Sequence, residues 1–171
     1  MTLGRKSFIS LKLRNIYKNN MGKIKFYADA TKVGMPFICI NEGGFKNVAM
    51  LIDTGSTNNV LFGYVYEQAK DQLQELEGDY TITGIDGKPK KATSVVGNMP
   101  FCGKIYEMTF LVKDEDDLGQ MLSKEMGFTV IGIIGTLFMA EHDWVLDFGK
   151  QEVVIPDADI SADDLSALRS M

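Results

Sequence analysis

Short apolar runs and alternating apolar and polar residues occupy most of the chain, and both patterns are typical of β-strands. The segments with these patterns read GKIKFYAD, PFICINEGGFKNVAMLID, DYTITGIDGKPKKATSVV, KIYEMTFLVKD, WVLDF and EVVI. Gly43-Gly44 and Asp86-Gly87 predict turns inside the second and third segments. The sequence therefore predicts a mainly β fold.

Helical spacing is confined to shorter stretches. Apolar residues recur at spacings of three and four in YVYEQAKDQLQELEG, at Val65, Ala69, Leu73 and Leu76. This spacing predicts a helix over 64–77 that ends at Gly78. DLGQMLSKEMG and TLFMAEH predict two more short helices, and SADDLSALRSM predicts a terminal helix because Asp164 follows Ser161 by three positions, a variant of the capping box.

Length and charge narrow the possible classes of protein. The 171 residues, 45% of them hydrophobic, suffice for one domain with a substantial core. The formal net charge of -5 excludes a surface that tracks nucleic-acid phosphates as the main feature of the chain. We therefore expect one domain and no nucleic-acid partner.

The two ends of the chain carry opposite charge. Residues 1–25 contain seven Lys or Arg residues and no acid, whereas four Asp residues lie beyond residue 156. Both ends can be solvated, or the basic arm of one subunit can meet the acidic tail of another. We expect an arm over 1–30, a folded domain over 31–156 and an acidic, helical tail over 157–171.

The basic arm does not have the pattern of a signal peptide or a membrane span. Ser10, Lys12 and Arg14 interrupt its apolar residues. The alternation fits an edge strand, and a basic amphipathic arm stays open. We expect a cytoplasmic location, with an association with the cell envelope left open.

Several kinds of catalytic or metal site are disfavoured by what the sequence contains. Cys39 and Cys102 lie in apolar stretches, which indicates buried thiols. The single histidine, His142, has no nucleophile motif near it, and the acidic run KDEDD lacks the glycine and final glutamate of a calcium loop. The two glycines of IGIIGT lack the lysine of a phosphate-binding loop. We expect neither a metal nor a cofactor.

Asp53 is the remaining candidate for chemistry. It follows the apolar run VAMLI and precedes Thr54, Gly55 and Ser56. A carboxylate at the end of a buried strand is costly to ionise, and Gly55 allows a close backbone approach. The hydroxyl of Thr54 can bond to a neighbouring loop, and Ser56 and the amides around Gly55 can bond the carboxylate. These residues fit a reactive carboxylate, and they fit equally an ordinary turn after a strand.

The stretch LIDTGS at 51–56 resembles the active-site loop of aspartic peptidases. Some eighty residues later, Ile133, Ile134 and Gly135 run into TLFMAEH, which is similar to the second mark of that family. Gly132 allows an alternative register of this mark, but the predicted helix after Gly135 favours the later one.

The segments around and between these two marks extend the resemblance to about residues 33–155. TITGIDGKPKKATSV is similar to the flap hairpin that closes over the substrate in this family. Its tip comprises Gly84, Ile85, Asp86 and Gly87. WVLDFGKQEVVI resembles the closing hairpin of the fold.

The number of Asp-Thr-Gly loops distinguishes two branches of the family. Two-lobed members carry two such loops in a chain about twice as long, whereas this sequence has one, since Asp86 and Asp147 lack the Thr/Ser-Gly sequel. The resemblance is therefore to the retropepsin-like, single-domain branch. The longer ends of this chain and its predicted helices at 64–77 and 117–127 resemble bacterial or cellular relatives more than viral ones.

This resemblance implies both a fold and an activity. The implied fold is a closed six-stranded acid-protease barrel with short helices, which acts as a twofold homodimer. The implied activity is hydrolysis of peptide or protein substrates by a water that paired Asp53 carboxylates activate, with Thr54, Gly55 and Ser56 supporting the loop. Two other functions stay open: a non-catalytic peptide-binding or dimerisation domain, and a β-rich interaction protein whose Asp-Thr-Gly-Ser is a turn.

Overall fold

The structure, a computed structural model, describes residues 22–27, 34–84, 87–113 and 117–155. The strands are β1 Lys23–Tyr27, β2 Phe37–Ile40, β3 Val48–Ile52, β4 Asn59–Phe62, β5 Gln74–Thr83, β6 Pro89–Phe101, β7 Lys104–Lys113, β8 Thr129–Ile134, β9 Val145–Asp147 and β10 Glu152–Val154. The helices are α1 Gly63–Ala69, α2 Asp117–Met126 and α3 Thr136–Glu141, and a 3-10 turn covers Lys70–Gln72. The prediction of a mainly β fold with short helices is confirmed.

All ten strands belong to one sheet, in the order β5-β6-β7-β4-β8-β3-β2-β1-β10-β9. The expectation of a closed six-stranded barrel is not met, because within the described ranges the sheet ends at β5 and β9 and these strands do not pair. Side chains link distant parts of the sheet instead. Val95 of β6 and Val153 of β10 lie in one buried cluster. The carboxylate of Glu42 accepts the backbone N–H groups of Cys102 and Gly103, at 2.8 Å each.

The central strands β2 and β3 bury both of their faces. Ile38 and Met50 belong to one buried cluster. Their neighbours Phe37 and Leu51 belong to a second cluster, which α2 helps to cover. Because successive side chains of a strand point to opposite faces, apolar residues at every position are what two-sided burial requires. The continuous runs FICI and VAMLI meet this requirement.

The predicted helix over 64–77 is wrong in its second half. The α-helix ends at Ala69, and Gln74 begins β5, in which Gln74 pairs with Val96 and Leu76 with Ser94. Pairing with the long strand β6 overrides the helical spacing in this segment, since tertiary contacts outweigh local propensity.

The other predicted elements have mixed outcomes. The predicted helices in DLGQMLSKEMG and TLFMAEH are confirmed as α2 and α3, and β4 and β8 were not predicted as strands. The predicted terminal helix and the first 21 residues of the arm lie outside the described residues. None of the described helices has the length and apolar content of a membrane span.

The β5–β6 hairpin, here called the flap, contains one interruption. The pairing shifts between Leu76 and Tyr80, so that residues 77–79 form a bulge on β5. Gly78 lies in the bulge with φ of 148°, a conformation that side chains disfavour. The bulge separates an inner part of the flap from an outer part that carries the tip.

A buried carboxylate holds the first described strand to the sheet. Glu152 of β10 accepts hydrogen bonds from Lys25 at 3.1 Å and from Lys23 at 3.3 Å, and its side chain is 4% exposed. The hydrogen bond from Lys25 is the main cause that lowers the pKa of Glu152, against the opposing effect of burial. β1, which falls within the expected arm, thus pairs with both β10 and β2.

We expect Glu152→Gln to lower the melting temperature at neutral pH, because the amide cannot form ion pairs with the two lysines. The folded-state pKa of Glu152 lies below the ordinary value of 4.5, so the ionised carboxylate contributes its full stability above about pH 4.5. This contribution is lost as the pH falls through the folded-state pKa. Thermal unfolding of both proteins from neutral to acidic pH should show the difference narrowing below pH 4.5. Glu125→Gln, at an exposed position of α2, is the control, and an equal pH dependence of all three proteins would contradict the assignment.

Candidate active site

The loop that carries Asp53 joins β3 to β4. It crosses the end of β8, which lies between these two strands in the sheet. β8 pairs in parallel with β3 and antiparallel with β4. Residues 53–58 connect β3 to β4 and must therefore pass over the carboxyl end of β8, where α3 begins. This crossing brings the first sequence mark next to the second.

Two glycines, one in β8 and one directly after it, allow β4 and the loop before it to lie close to β8. A Cβ atom on Gly132 would lie 2.1 Å from the carbonyl oxygen of Val60, and one on Gly135 would lie 2.4 Å from that of Asn58. Both distances are shorter than van der Waals contact, and backbone atoms cannot yield as a flexible side chain can. Glycine is thus required at 135 for the loop to lie where it does, and at 132 for β4 to lie as close to β8 as it does.

Backbone hydrogen bonds fix the position of Asp53. Its N–H donates to the carbonyl of Ile134 at 3.1 Å, and the N–H of the preceding Ile52 donates to Pro36 at 2.9 Å. The N–H of Gly55 donates to Oδ1 of the Asp53 carboxylate at 2.8 Å, and the N–H of Ser56 donates to the Asp53 carbonyl at 3.1 Å. The carboxylate is therefore held in one orientation by its own loop.

The second half of the loop supplies acceptors for the start of α3. The carbonyl of Ser56 accepts the N–H of Thr136 at 2.8 Å and its hydroxyl at 3.1 Å, and the carbonyl of Thr57 accepts the N–H of Leu137 at 3.1 Å. The first N–H groups of a helix have no acceptor within the helix, so an external acceptor stabilises its start. The hydroxyl of Ser56 donates to the carbonyl of Asn58 at 2.8 Å and tightens the turn.

Asn59 is a site residue that the sequence analysis missed. Its buried side chain accepts the N–H of Gly135 at 3.0 Å through Oδ1 and donates to the carbonyl of Thr109 at 3.1 Å through Nδ2. It thereby links the loop, the end of β8 and β7. The available signal was that a polar residue directly precedes the apolar run VLF. A polar side chain in such a place is costly to bury unless it has hydrogen-bond partners.

The structure brings the predicted loop and the predicted second mark together. Asp53 is half-buried, Thr54 and Gly55 are exposed, and Ile134 and Gly135 are buried beside the loop. Ile133 is half-buried.

The other predicted site residues are those of the flap tip. In the flap, the N–H of Gly87 donates to the carbonyl of Gly84 at 3.0 Å, which closes the turn at the tip. Ile85 and Asp86 lie outside the described residues, so their expected contacts with substrate stay a prediction.

The cysteines are unsuited to nucleophilic chemistry. Burial raises the pKa of Cys39 to about 11, and burial is also the main cause that raises the pKa of Cys102 to about 12. A thiol must ionise to act as a nucleophile, so these two stay protonated at neutral pH.

His142 and the described carboxylates outside the loop do not form a metal site. The ring centroid of His142 lies 4.6 Å from that of Phe138 and 5.0 Å from that of Tyr106, in an aromatic cluster beside α3. Within the part of the chain that the structure describes, no group of three His, Cys, Asp or Glu side chains could hold a metal ion.

No protein-family model matches the chain, and no curated protein matches it. Solved structures do. The chain is similar to EIAV protease complexed with the inhibitor HBY-793, with 18% identity, a TM-score of 0.41 and coverage of 60% of this chain and 93% of that chain. It is similar to a retropepsin-like aspartic protease from Rickettsia conorii, with 18% identity, a TM-score of 0.48 and coverage of 78% and 90%.

A third similar structure is the retroviral protease-like domain of Ddi1 from Leishmania major, with 14% identity, a TM-score of 0.41 and coverage of 64% and 79%. These structural neighbours are retropepsin-like aspartic proteases, and their sequence identity to this chain is low.

We expect Asn59→Ala to destabilise the protein by about 1–3 kcal/mol, because the buried N–H of Gly135 loses its acceptor. The carbonyl of Thr109, which belongs to an exposed residue, also loses its donor and should add less. Urea unfolding measures this change in free energy. Asn58→Ala is the matched control, since the neighbouring side chain is exposed, and it should change the free energy of unfolding by less than about 0.5 kcal/mol. Equal losses in the two variants would show that the Asn59 amide does not hold the crossing.

Proposed function

We propose that the chain is an aspartic endopeptidase in which two copies of Asp53, one from each subunit of a twofold dimer, activate a water. The observation that carries this proposal is the half-buried Asp53 carboxylate, which accepts the N–H of Gly55 in a loop that is itself bonded to β8. A catalytic side chain needs such support from its surroundings and access to its substrate.

The need for a dimer follows from the single loop in the sequence. One carboxylate cannot serve as both base and acid toward the same water and carbonyl, and no second Asp-Thr-Gly loop exists in the chain. Exposed Thr54 and Gly55 leave the loop accessible to an identical loop across a twofold axis. In this proposal the hydroxyl of Thr54 donates a hydrogen bond to the partner's loop.

The chemistry follows from placing two carboxylates side by side. Two charged carboxylates about 3 Å apart repel each other, so in this proposal the pair shares one proton. The ionised carboxylate accepts a proton from water as the water attacks the scissile carbonyl. The protonated carboxylate donates a hydrogen bond to the carbonyl oxygen, and a proton then passes to the leaving amine. This arrangement favours activity at acidic to mildly acidic pH.

The flap supplies the second wall of the site in this proposal. An extended peptide between the flap and the Asp53 loop would bond to backbone groups of the hairpin, as strands do in β-augmentation. Closure of the tip around Gly84 and Gly87 would exclude water other than the reacting one.

Asp53→Asn should abolish peptide cleavage, with a loss of kcat/KM of at least about a hundredfold, because the amide can neither accept nor supply the shared proton. A mixed peptide library read by mass spectrometry measures this loss. Asp143→Asn is the control: Asp143 is an exposed residue with φ of 54°, a conformation that asparagine tolerates. Full activity of Asp53→Asn would contradict the mechanism, and a dimeric wild-type protein that binds but never cleaves peptides would favour a non-catalytic binding domain.

Dilution should inactivate the protein below the dissociation constant of its dimer, because a monomer holds one carboxylate of the pair. Analytical ultracentrifugation and activity measured over the same concentrations should show dimer and activity disappearing together. An excess of Asp53→Asn protein should also suppress wild-type activity by forming mixed dimers with one acid. A stable monomer that cleaves peptides would overturn the proposed active site.

A further inference from the structure

The sheet has one long edge and one short edge. β5 forms one edge with ten residues, and β9 forms the other with three. An edge strand presents backbone N–H and C=O groups that can pair with a further strand. Within the described ranges no strand covers the free side of β5. The acid of the short edge, Asp147, already forms an ion pair with Lys150 at 2.9 Å. β5 is therefore the edge with more room and more unpaired charge for another strand.

The inner part of β5 carries an apolar residue between two acids. Leu76 is half-buried, and its neighbours Glu75 and Glu77 are exposed. The hydroxyl of Tyr66 donates to Glu75, and no cation of the described residues forms an ion pair with Glu77. Side chains that lie opposite each other on paired strands interact, so this stretch is complementary to a strand with one apolar residue between two cations.

The basic arm contains this complementary pattern. Leu13 lies between Lys12 and Arg14, in the segment whose alternation fits an edge strand. With Leu13 opposite Leu76, each of the two acids has a cation opposite it. A shift of one position would place a cation opposite Leu76 and an acid opposite Leu13. The charge pattern therefore selects one register.

The described end of the arm lies within reach of this edge. The backbone of Gly22 forms a hydrogen bond with the thiol of Cys102, directly after β6. Val95 of β6 pairs with Glu75 and lies seven positions before Cys102, which is about 23 Å of strand. Arg14 lies eight positions before Gly22, and an extended chain of that length covers about 26 Å. β5 runs away from Cys102 and the arm runs toward it, so the two segments would be antiparallel, with Arg14 opposite Glu75.

We propose that the basic arm adds a strand to the edge of β5 in the same chain, with residues 12–14 opposite residues 75–77. Complementary charge, matching length and an uncovered edge support this pairing, which does not depend on the peptidase function proposed above. The added strand would close the edge to other chains and would hold the inner part of the flap from its free side.

Cross-linking tests the position of the arm. In a protein with Leu13→Cys and Leu76→Cys, a short bifunctional thiol reagent should link the two positions within one chain, because opposite side chains of paired strands lie about 5 Å apart. The native cysteines are buried and stay protonated at neutral pH, so they should not compete. Leu13→Cys with Val145→Cys, an exposed position on the short edge, is the matched control and should stay unlinked.

Hydrogen exchange, read by mass spectrometry, tests the charge pairing. Lys12→Glu should speed exchange of the backbone amides of residues 74–83 by about two- to fivefold, since one exposed ion pair contributes little. Glu77→Lys in the same protein should restore the wild-type rate, because it restores opposite charges at this pair. Lys18→Glu makes the same change of charge outside residues 12–14 and should leave the rate unchanged.

Each test has results that would overturn the proposal. Absence of a link between positions 13 and 76, or a preferred link from position 13 to Val145→Cys or to Leu165→Cys in the acidic tail, would overturn the assignment of β5. Links between two chains would assign this edge to the arm of a second copy and would overturn the pairing within one chain. An exchange rate that Lys12→Glu leaves unchanged, or that Glu77→Lys does not restore, would overturn the register.

Discussion

The passage of the Asp53 loop over the end of β8 is the constraint on which the rest of the site depends. Gly135 allows the loop to cross at a distance that a single methyl group would prevent, and Gly132 does the same for β4 beside β8. The crossing then supplies acceptors for the start of α3, aligns Asp53 with the carbonyl of Ile134 and places the amide of Asn59 between β7 and β8. The Asp53 carboxylate is thus positioned mainly by backbone atoms, which are the least mobile groups that a protein offers.

The loop and its second mark could be predicted from the sequence because each depends on residue types that follow one another in the chain. An apolar strand, a carboxylate and small residues must follow one another at Asp53, and glycine must stand at 135. Asn59 could not be predicted in the same way, since its bond to Gly135 joins residues 76 positions apart. Its type and its place before an apolar run carried too little information to identify the partner.

The errors in secondary structure and architecture have the same cause. Leu73 and Leu76 fit a helix by spacing, but β6 offered hydrogen-bond partners along a strand, and pairing prevailed. β4 and β8 are short apolar runs whose type is decided by neighbours far away in the chain. Whether the sheet closes depends on pairing between its first and last strands, and local pattern does not encode this. Glu42 instead connects the β2–β3 turn to the β6–β7 turn with a carboxylate.

The bulge at Gly78 has a consequence for how this protein can change over evolutionary time. It uncouples the register of residues 80–83 from that of residues 74–76, so that a substitution in the outer hairpin need not be accommodated by the inner ladder. The outer part of the hairpin can therefore diversify while its packed base and the Asp53 loop stay constant.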